Sequence, residues 1–233
     1  MPPSGATVEA STFKPLPGAD TMKCALATGF TGDKYGEVNK LIEVSTSAPK
    51  PTLNRKKKQV LIKVLACSLS AGDSLVLSGN MIMLKPKLPY VPGMDVCGII
   101  QAVTEKVTKF KVGDMVVTTS VAIGGMAEYM VVDSTKVVLK PPSVSVLQAA
   151  SCSSAVTAAQ ATHYVQKGDR VLVLGGSGGV GSAAITLAKN AGASFVATTS
   201  TQVDLCTSLG ADRVIDYRKQ NWWEVDEFCT HAK

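Results

Sequence analysis

At 233 residues, with 45% hydrophobic and 18% charged positions, the chain has the makeup of an ordinary folded globule holding one large domain or two modest ones. That composition excludes a disordered polyelectrolyte, and no uninterrupted apolar stretch is long enough to span a bilayer. The formal charge of +6 would suit an anionic ligand, but the lysines are scattered apart from Arg55-Lys56-Lys57-Lys58, so no nucleic-acid partner is expected.

Residues 1–21 contain Pro, Ser, Gly, Glu9 and Asp20 but no Arg, which reads as a flexible tail rather than a transit peptide or a secretory signal. From residue 22 to about 140, short β-rich runs alternate with turns, predicting strands over 23–27, 41–44, 60–65, 97–103, 115–117 and 130–132. Gly113-Asp114 and Gly124-Gly125 mark turns between them. The basic run 55–58 reads as a solvated loop between two strands; a basic targeting signal is the alternative. Together, residues 22–145 predict a compact all-β barrel. After Lys140-Pro141-Pro142 the chain turns alanine- and serine-rich through Thr162, which predicts a helix leading into a second domain over 146–233.

Six cysteines, at 24, 67, 97, 152, 206 and 229, form no C-x-x-C pair, and several lie in apolar strands, so buried reduced thiols in a cytoplasmic chain are expected. His163 and His231 are the only histidines, and neither has a partner at metal-ligand spacing, so no metal is expected.

The second domain opens on Val171-Leu172-Val173-Leu174, then Gly175-Gly176-Ser177-Gly178-Gly179-Val180-Gly181, then an Ala/Leu-rich stretch from Ser182. The order is strand, glycine turn, helix. Glycines let the backbone approach a ligand, and the first N–H groups of the new helix point outward with the positive end of its dipole behind them, so the loop is a candidate pyrophosphate cradle. A G-x-G-x-x-G match alone also describes a plain glycine-rich turn, but a second β-rich run, 194–198, follows about 20 residues after the central glycine, where a dinucleotide fold places the strand that reads the ribose. A third strand is predicted over 213–217. At the end of the second strand, NAD readers carry an Asp or Glu, whereas this chain has Thr198-Thr199-Ser200-Thr201. Hydroxyls without a carboxylate tolerate a 2′-phosphate, and Tyr217-Arg218-Lys219 would add an aromatic wall and positive charge; this points to NADPH. Arg218 and Lys219 also read as merely solvated charges.

Several linked motifs in order give the chain a family likeness: Leu88-Pro89-Tyr90-Val91-Pro92-Gly93-Met94-Asp95-Val96-Cys97-Gly98, Phe110-Lys111-Val112-Gly113-Asp114, Gly125-Met126-Ala127-Glu128-Tyr129 and the glycine loop. Over residues 22 to 224 the chain resembles the medium-chain dehydrogenase/reductase superfamily, and within it the zinc-free, zeta-crystallin-like quinone oxidoreductase branch. The resemblance implies an α/β fold with an all-β domain: a GroES-like β-barrel followed by a Rossmann domain with a doubly wound parallel sheet. It further implies hydride transfer from NADPH to a quinone or an activated alkene, and a homodimer in the full-length form.

Departures from the family are informative. Zinc-dependent relatives read Gly-His-Glu where this chain has Gly93-Met94-Asp95, and Met94 cannot replace that histidine at a Lewis-acid site. The Asn-Pro-x-Asp segment that borders the nicotinamide in zinc-free members appears as Ser70-Ala71-Gly72-Asp73, which makes Ser70 and Asp73 candidate pocket residues; Asp73 equally reads as a turn or cap residue. Thr157 matches a threonine that contacts the cofactor in relatives, and its other reading is a helix residue bonding its own backbone. The proton-donating tyrosine of enoyl-thioester reductases corresponds to Met81, which has no proton to give. Finally, only strands 1, 2 and 3 of the order 3-2-1-4-5-6 are present, so the Rossmann domain is expected to be incomplete, with residues 171–174 as an exposed apolar edge. Two readings follow: a reductase, or a non-catalytic chain that binds the adenosine-phosphate half of NADPH or associates with a full-length subunit.

Overall fold

Alternation of apolar and polar residues decides the first half of the molecule. The computed structural model describes residues 20–32, 40–81, 86–119 and 124–225; most of the expected N-terminal tail, Cys229 and His231 lie outside them. Two compact units divide at Ser151 and Cys152.

In the first unit, β1 (Thr21–Ala27) pairs antiparallel with β2 (Ile42–Pro49). A five-stranded antiparallel sheet runs in the order β6-β3-β4-β5-β7, built from β3 (Gln59–Ser68), β4 (Asp95–Val103), β5 (Met115–Thr119), β6 (Tyr129–Asp133) and β7 (Val138–Leu139). Isolated bridges from Cys24 to Ala127 and from Ala27 to Tyr90 tie β1 to the loops beside the larger sheet. Residues spaced by two point one way, so Val60 and Ile62 on β3 meet Val96 and Ile100 on β4, with Val116 and Met130, in one apolar core. Each such side chain contributes about 1.5–3 kcal/mol by leaving water.

Two helices modify the expected all-β reading. The stretch Ala71–Ser78, with a glycine, two serines and a valine, has little helix propensity of its own, yet it forms α1. It is held at one end by the Ser70 and Asp73 side chains and closed at the other by Gly79, whose φ of 74° takes the left-handed C-cap. The predicted helix over 143–162 is two helices, α2 (Val146–Ala150) in the first unit and α3 (Ser153–Ala161) in the second. The break has a local cause: the Ser151 hydroxyl donates back to the carbonyls of Leu147 and Gln148 at 3.0 and 3.2 Å and ends the first helix.

In the second unit, β8 (Arg170–Leu174), β9 (Phe195–Thr199) and β10 (Arg213–Ile215) form a parallel sheet in the order β10-β9-β8. The crossovers are α4 (Gly179–Asn190) and α5 (Val203–Ser208). That is the 3-2-1 order of a mononucleotide-binding half. Ile185, Ala188, Val196 and Cys206 form its core, and α3 packs against α4. Among the described residues β8 has no partner on its second edge, and Leu174 there is 61% exposed. After β10 comes a single 3-10 turn, Trp222–Glu224. No disulfide joins the five described cysteines, and no helix of the described residues is long and apolar enough to cross a membrane.

Candidate functional site

The glycine loop follows from the geometry of β8 running into α4. Gly175, at φ 79°, turns the chain, and its N–H donates to Thr199 Oγ1 at 2.9 Å. Two further amides of the loop are engaged inside the protein: Gly176 N–H donates to the Thr199 carbonyl and Gly178 N–H to the Gly175 carbonyl, both at 3.0 Å. Those two amides are therefore taken up inside the loop, within the segment 175–181 expected to cradle a pyrophosphate. Gly178 caps α4 without a side chain, and helical bonding resumes at Ser182, which donates to the Gly178 carbonyl. Between them the amides of Gly179, Val180 and Gly181 have no acceptor among the described residues. Three free donors thus stand at the positive end of a 12-residue helix with no acidic residue in its first turn.

Close packing explains the glycines. A Cβ on Gly181 would lie 2.2 Å from the Gly175 carbonyl oxygen, and one on Gly176 would lie 2.1 Å from Thr198 Oγ1. One on Gly179 would meet Ser154 Oγ at 2.8 Å, so Ser154 on α3 stands beside the free amides. Sequence reasoning passed over Ser154 because its small-residue run, 151–155, has the look of helix filler. Ser177 and Val180 are exposed on the loop.

The ribose end differs from expectation. Thr198, Thr199 and Ser200 are buried, at 0%, 8% and 1% exposure. Thr198 Oγ1 donates to the Val173 carbonyl at 2.6 Å, Thr199 Oγ1 holds the Gly175 amide, and Ser200 Oγ accepts from Gln202 N–H at 2.9 Å. β9 is the central strand of three, so its side chains pack into the unit and shape the loop instead of meeting a ligand. What stays open at that end follows β10: Tyr217, 59% exposed, then Arg218 and Lys219. The Ser200 amide donates to the Ile215 carbonyl, which fixes this segment beside the end of β9. Asp216, unweighed in the sequence, binds Arg218 at 3.3 and 3.4 Å and Lys219 at 3.7 Å. The Arg218 guanidinium holds the Asp216 carboxyl below the usual carboxylate range. The two cations therefore present about one net charge.

In the β-unit, Asp73 is 4% exposed and its carboxylate is fully engaged. Oδ2 accepts from Ser70 N–H and Ser70 Oγ at 2.9 and 3.0 Å, while Oδ1 accepts from Gly93 N–H at 3.0 Å. Asp73 thus clamps the start of α1 to the turn before β4. Met94 packs its methyl group where a Cβ on Gly72 would be. Cys67, beside Gly93 and Gly125, has its thiol pushed up to about 12 by burial, with Asp73 and Asp95 adding to it. Tyr90, also missed as a site residue, is buried with its hydroxyl unpaired among the described residues; burial, then Asp73, push it up to about 12. Met81 packs beside Tyr90 in an apolar cluster. No group of three metal-ligating side chains occurs among the described residues. An apolar cavity of about 260 Å³ opens near Met22, Leu26, Tyr90 and Tyr129, and neither Ser70 nor Asp73 lines it. In the other unit Thr157 is exposed, and its hydroxyl donates to the Ser153 carbonyl at 3.0 Å.

Comparison with known proteins adds the following. The family model for the alcohol dehydrogenase GroES-like domain matches residues 56–142. A quinone oxidoreductase of Sus scrofa is 39% identical over 173 residues, which is 72% of this chain and 52% of that protein. An NADPH-dependent alkenal/one oxidoreductase of Arabidopsis thaliana is 37% identical over 202 residues, 80% of this chain and 51% of that one. The structure of mycobacterial Rv1454c complexed with NADPH superimposes with a TM-score of 0.74 at 31% identity, covering 87% of this chain and 61% of that one. The chain spans about half the length of the curated relatives it matches.

Proposed function

Because the chain belongs to the quinone oxidoreductase branch of the medium-chain dehydrogenase/reductase superfamily, we propose that it serves as an NADPH-dependent, zinc-independent reductase of quinones or activated alkenes. On this reading it would act as a cytoplasmic homodimer. The observation that carries the reading is the set of three unanswered amides, Gly179, Val180 and Gly181, at the N-terminus of α4.

The residues present fit the coenzyme. The three amides would hold its diphosphate, with Ser177 on the open side of the loop and Ser154 beside it. Gly175, Gly176 and Gly178 set the loop's shape, and Thr198 and Thr199 hold it from within, while Ser200 ties the end of β9 to Ile215. Tyr217 and Arg218 would meet the adenosine ribose and its 2′-phosphate, Asp216 tempering the charge. A bound nicotinamide supplies the hydride. Asp73 is a positioning residue that fixes Ser70 and the Gly93 turn. Met94 offers only a thioether where zinc-dependent relatives carry a histidine, which supports metal-free chemistry. A quinone needs no protein acid, since its reduced oxyanion is stable enough for solvent to protonate.

The test follows NADPH absorbance with a quinone and with an enone, and titrates 2′-phosphorylated against unphosphorylated adenosine ligands. Oxidation of NADPH with either acceptor, and tighter binding of the phosphorylated ligand, are expected; preference for the unphosphorylated ligand overturns the coenzyme assignment. The open edge of β8 favours one second reading, a non-catalytic chain that takes only the adenosine-phosphate half of NADPH or pairs with a longer subunit. Turnover by the chain itself rejects that reading, and ligand binding without turnover rejects the first.

A further inference from the structure

Seven cations gather at one end of the five-stranded sheet. Pairing of Val60 with Val103 and of Gln59 with Asp133 sets the start of β3 beside the ends of β4 and β6. Three turns leave from there. Residues 54–58 carry Arg55, Lys56, Lys57 and Lys58; residues 104–109 carry Lys106 and Lys109; residues 133–136 carry Lys136. These turns, far apart in sequence, are bonded together: Thr104 Oγ1 donates to the Lys57 carbonyl at 2.8 Å, Lys106 Nζ to the Lys56 carbonyl at 3.0 Å, and Ser134 N–H to the Lys58 carbonyl at 2.9 Å. All seven basic side chains are exposed.

Only two carboxylates, Glu105 and Asp133, belong to the same turns, and Asp133 Oδ1 is engaged by the Thr135 N–H and hydroxyl at 2.9 and 2.7 Å. The surplus of five charges here compares with +6 for the whole chain. Elsewhere some cations are answered, as Lys111 is by Asp114 and Lys189 by Asp212. A net charge that reads as scattered along the sequence is therefore concentrated on one face by the fold.

We propose that this end of the β-domain is a docking surface for an anionic phospholipid membrane. Six of the seven cations are lysines, compact point charges on flexible stems, which suit a diffuse negative surface more than the fixed geometry of base edges or paired phosphates. Single-stranded nucleic acid would need aromatic platforms, and these turns expose none; Phe110 at their margin is 5% exposed. Each basic side chain near such a surface strengthens attachment about fivefold at low salt.

The experiment sediments the full chain with vesicles of phosphatidylcholine alone and with vesicles containing about a quarter phosphatidylserine. Binding to the second only, lost at about 1 M salt where the screening length shrinks to about 3 Å, is expected. Joint charge reversal by Lys56→Glu, Lys57→Glu and Lys106→Glu is expected to weaken it about a hundredfold, whereas Lys→Arg at the same positions retains it. If the reversed variant melts early, Lys57→Gln and Lys109→Gln taken singly, each costing about fivefold, decide the matter. Equal binding to neutral vesicles, no binding to anionic ones, or undiminished binding by the reversed variant overturns the proposal. So does tighter binding of polyuridylate than of the anionic vesicles at the same salt, which would assign the patch to nucleic acid.

Discussion

The glycine loop after β8 and the turn before β4 are both glycine-bearing bends at strand ends, yet they treat their polar groups in opposite ways. In the first, the amides of Gly179, Val180 and Gly181 are left unanswered at the start of a helix. In the second, Gly93 at φ 96° gives its N–H to Asp73 and its carbonyl to the Gly125 amide, while Pro92 takes the Met126 amide. The Gly93 amide and the Gly93 and Pro92 carbonyls are thus answered inside the protein. A bend whose hydrogen bonds close internally is a rigid floor, whereas one that ends on a helix N-terminus carries unsatisfied donors that invite an anion. The coenzyme assignment rests on that difference rather than on the presence of glycine.

The sharpest way to break the comparison is at Gly181. Its Cβ would press on the backbone of Gly175, at 2.2 Å from the oxygen and 2.8 Å from the carbon, so no side-chain rotation relieves the clash. Gly181→Ala is expected to cost about 3 kcal/mol of stability by chemical denaturation and to abolish coenzyme binding. Gly178→Ala, whose Cβ would sit 3.3 Å from the same oxygen, should cost much less, and equal losses would contradict this account of the loop.

Next comes Asp73, where the internally closed turn is most exposed to damage. Asp73→Ala removes the acceptor of three hydrogen bonds and leaves the Gly93 and Ser70 amides without one, for an expected loss of about 2–3 kcal/mol in urea unfolding. Asp73→Asn, which keeps one carbonyl oxygen, should lose less. If Asp73 acted on substrate instead, both variants would lower turnover while leaving the denaturation midpoint in place.

How far the sequence could be read depends on where a residue's partners lie. The strands of both units apart from β7, the glycine loop and the basic loop 55–58 were legible because their signals are local: alternation, a β-rich run, a turn residue. Helix α1 was not, since it owes its existence to Asp73 reaching Ser70 and Gly93, a contact 20 residues away in sequence for the latter. Thr198, Thr199 and Ser200 were read correctly as hydroxyls without a carboxylate, yet their burial was invisible, because it depends on β9 being flanked on both sides by β8 and β10. The same holds for Asp216, whose pairing with Arg218 depends on a side-chain conformation and not on spacing.

Asp212 sharpens the picture within the second unit, because it fastens β9 from the side remote from the loop's amides. Its carboxylate accepts from Val196 N–H at 2.7 Å and from Lys189 Nζ at 3.0 and 3.1 Å. The Val196 amide first, and Lys189 after it, hold the carboxyl below the ordinary carboxylate range. A folded-state value below the unfolded one, about 3.9, means the contribution is complete above about pH 4 and is lost as the pH falls through the folded value. Asp212→Asn should therefore lower stability by about 1 kcal/mol at neutral pH and flatten the decline of the melting temperature below about pH 4. A variant whose acid limb matches the parent's would rule this coupling out.

The smallest effect is expected at Thr157, and it separates a family-derived role from a local one. The hydroxyl donates to the Ser153 carbonyl on the exposed side of α3, a bond that contributes little, so Thr157→Val should leave stability within about 0.5 kcal/mol. With its proton committed to Ser153, the oxygen retains only acceptor capacity, which restricts a coenzyme partner to a donor such as an amide or a ribose hydroxyl. Loss of one such bond is expected to weaken NADPH binding about fivefold by titration calorimetry. An unchanged affinity would leave Thr157 with its helix alone, and the coenzyme held in this unit by the free amides of α4 and the segment after β10.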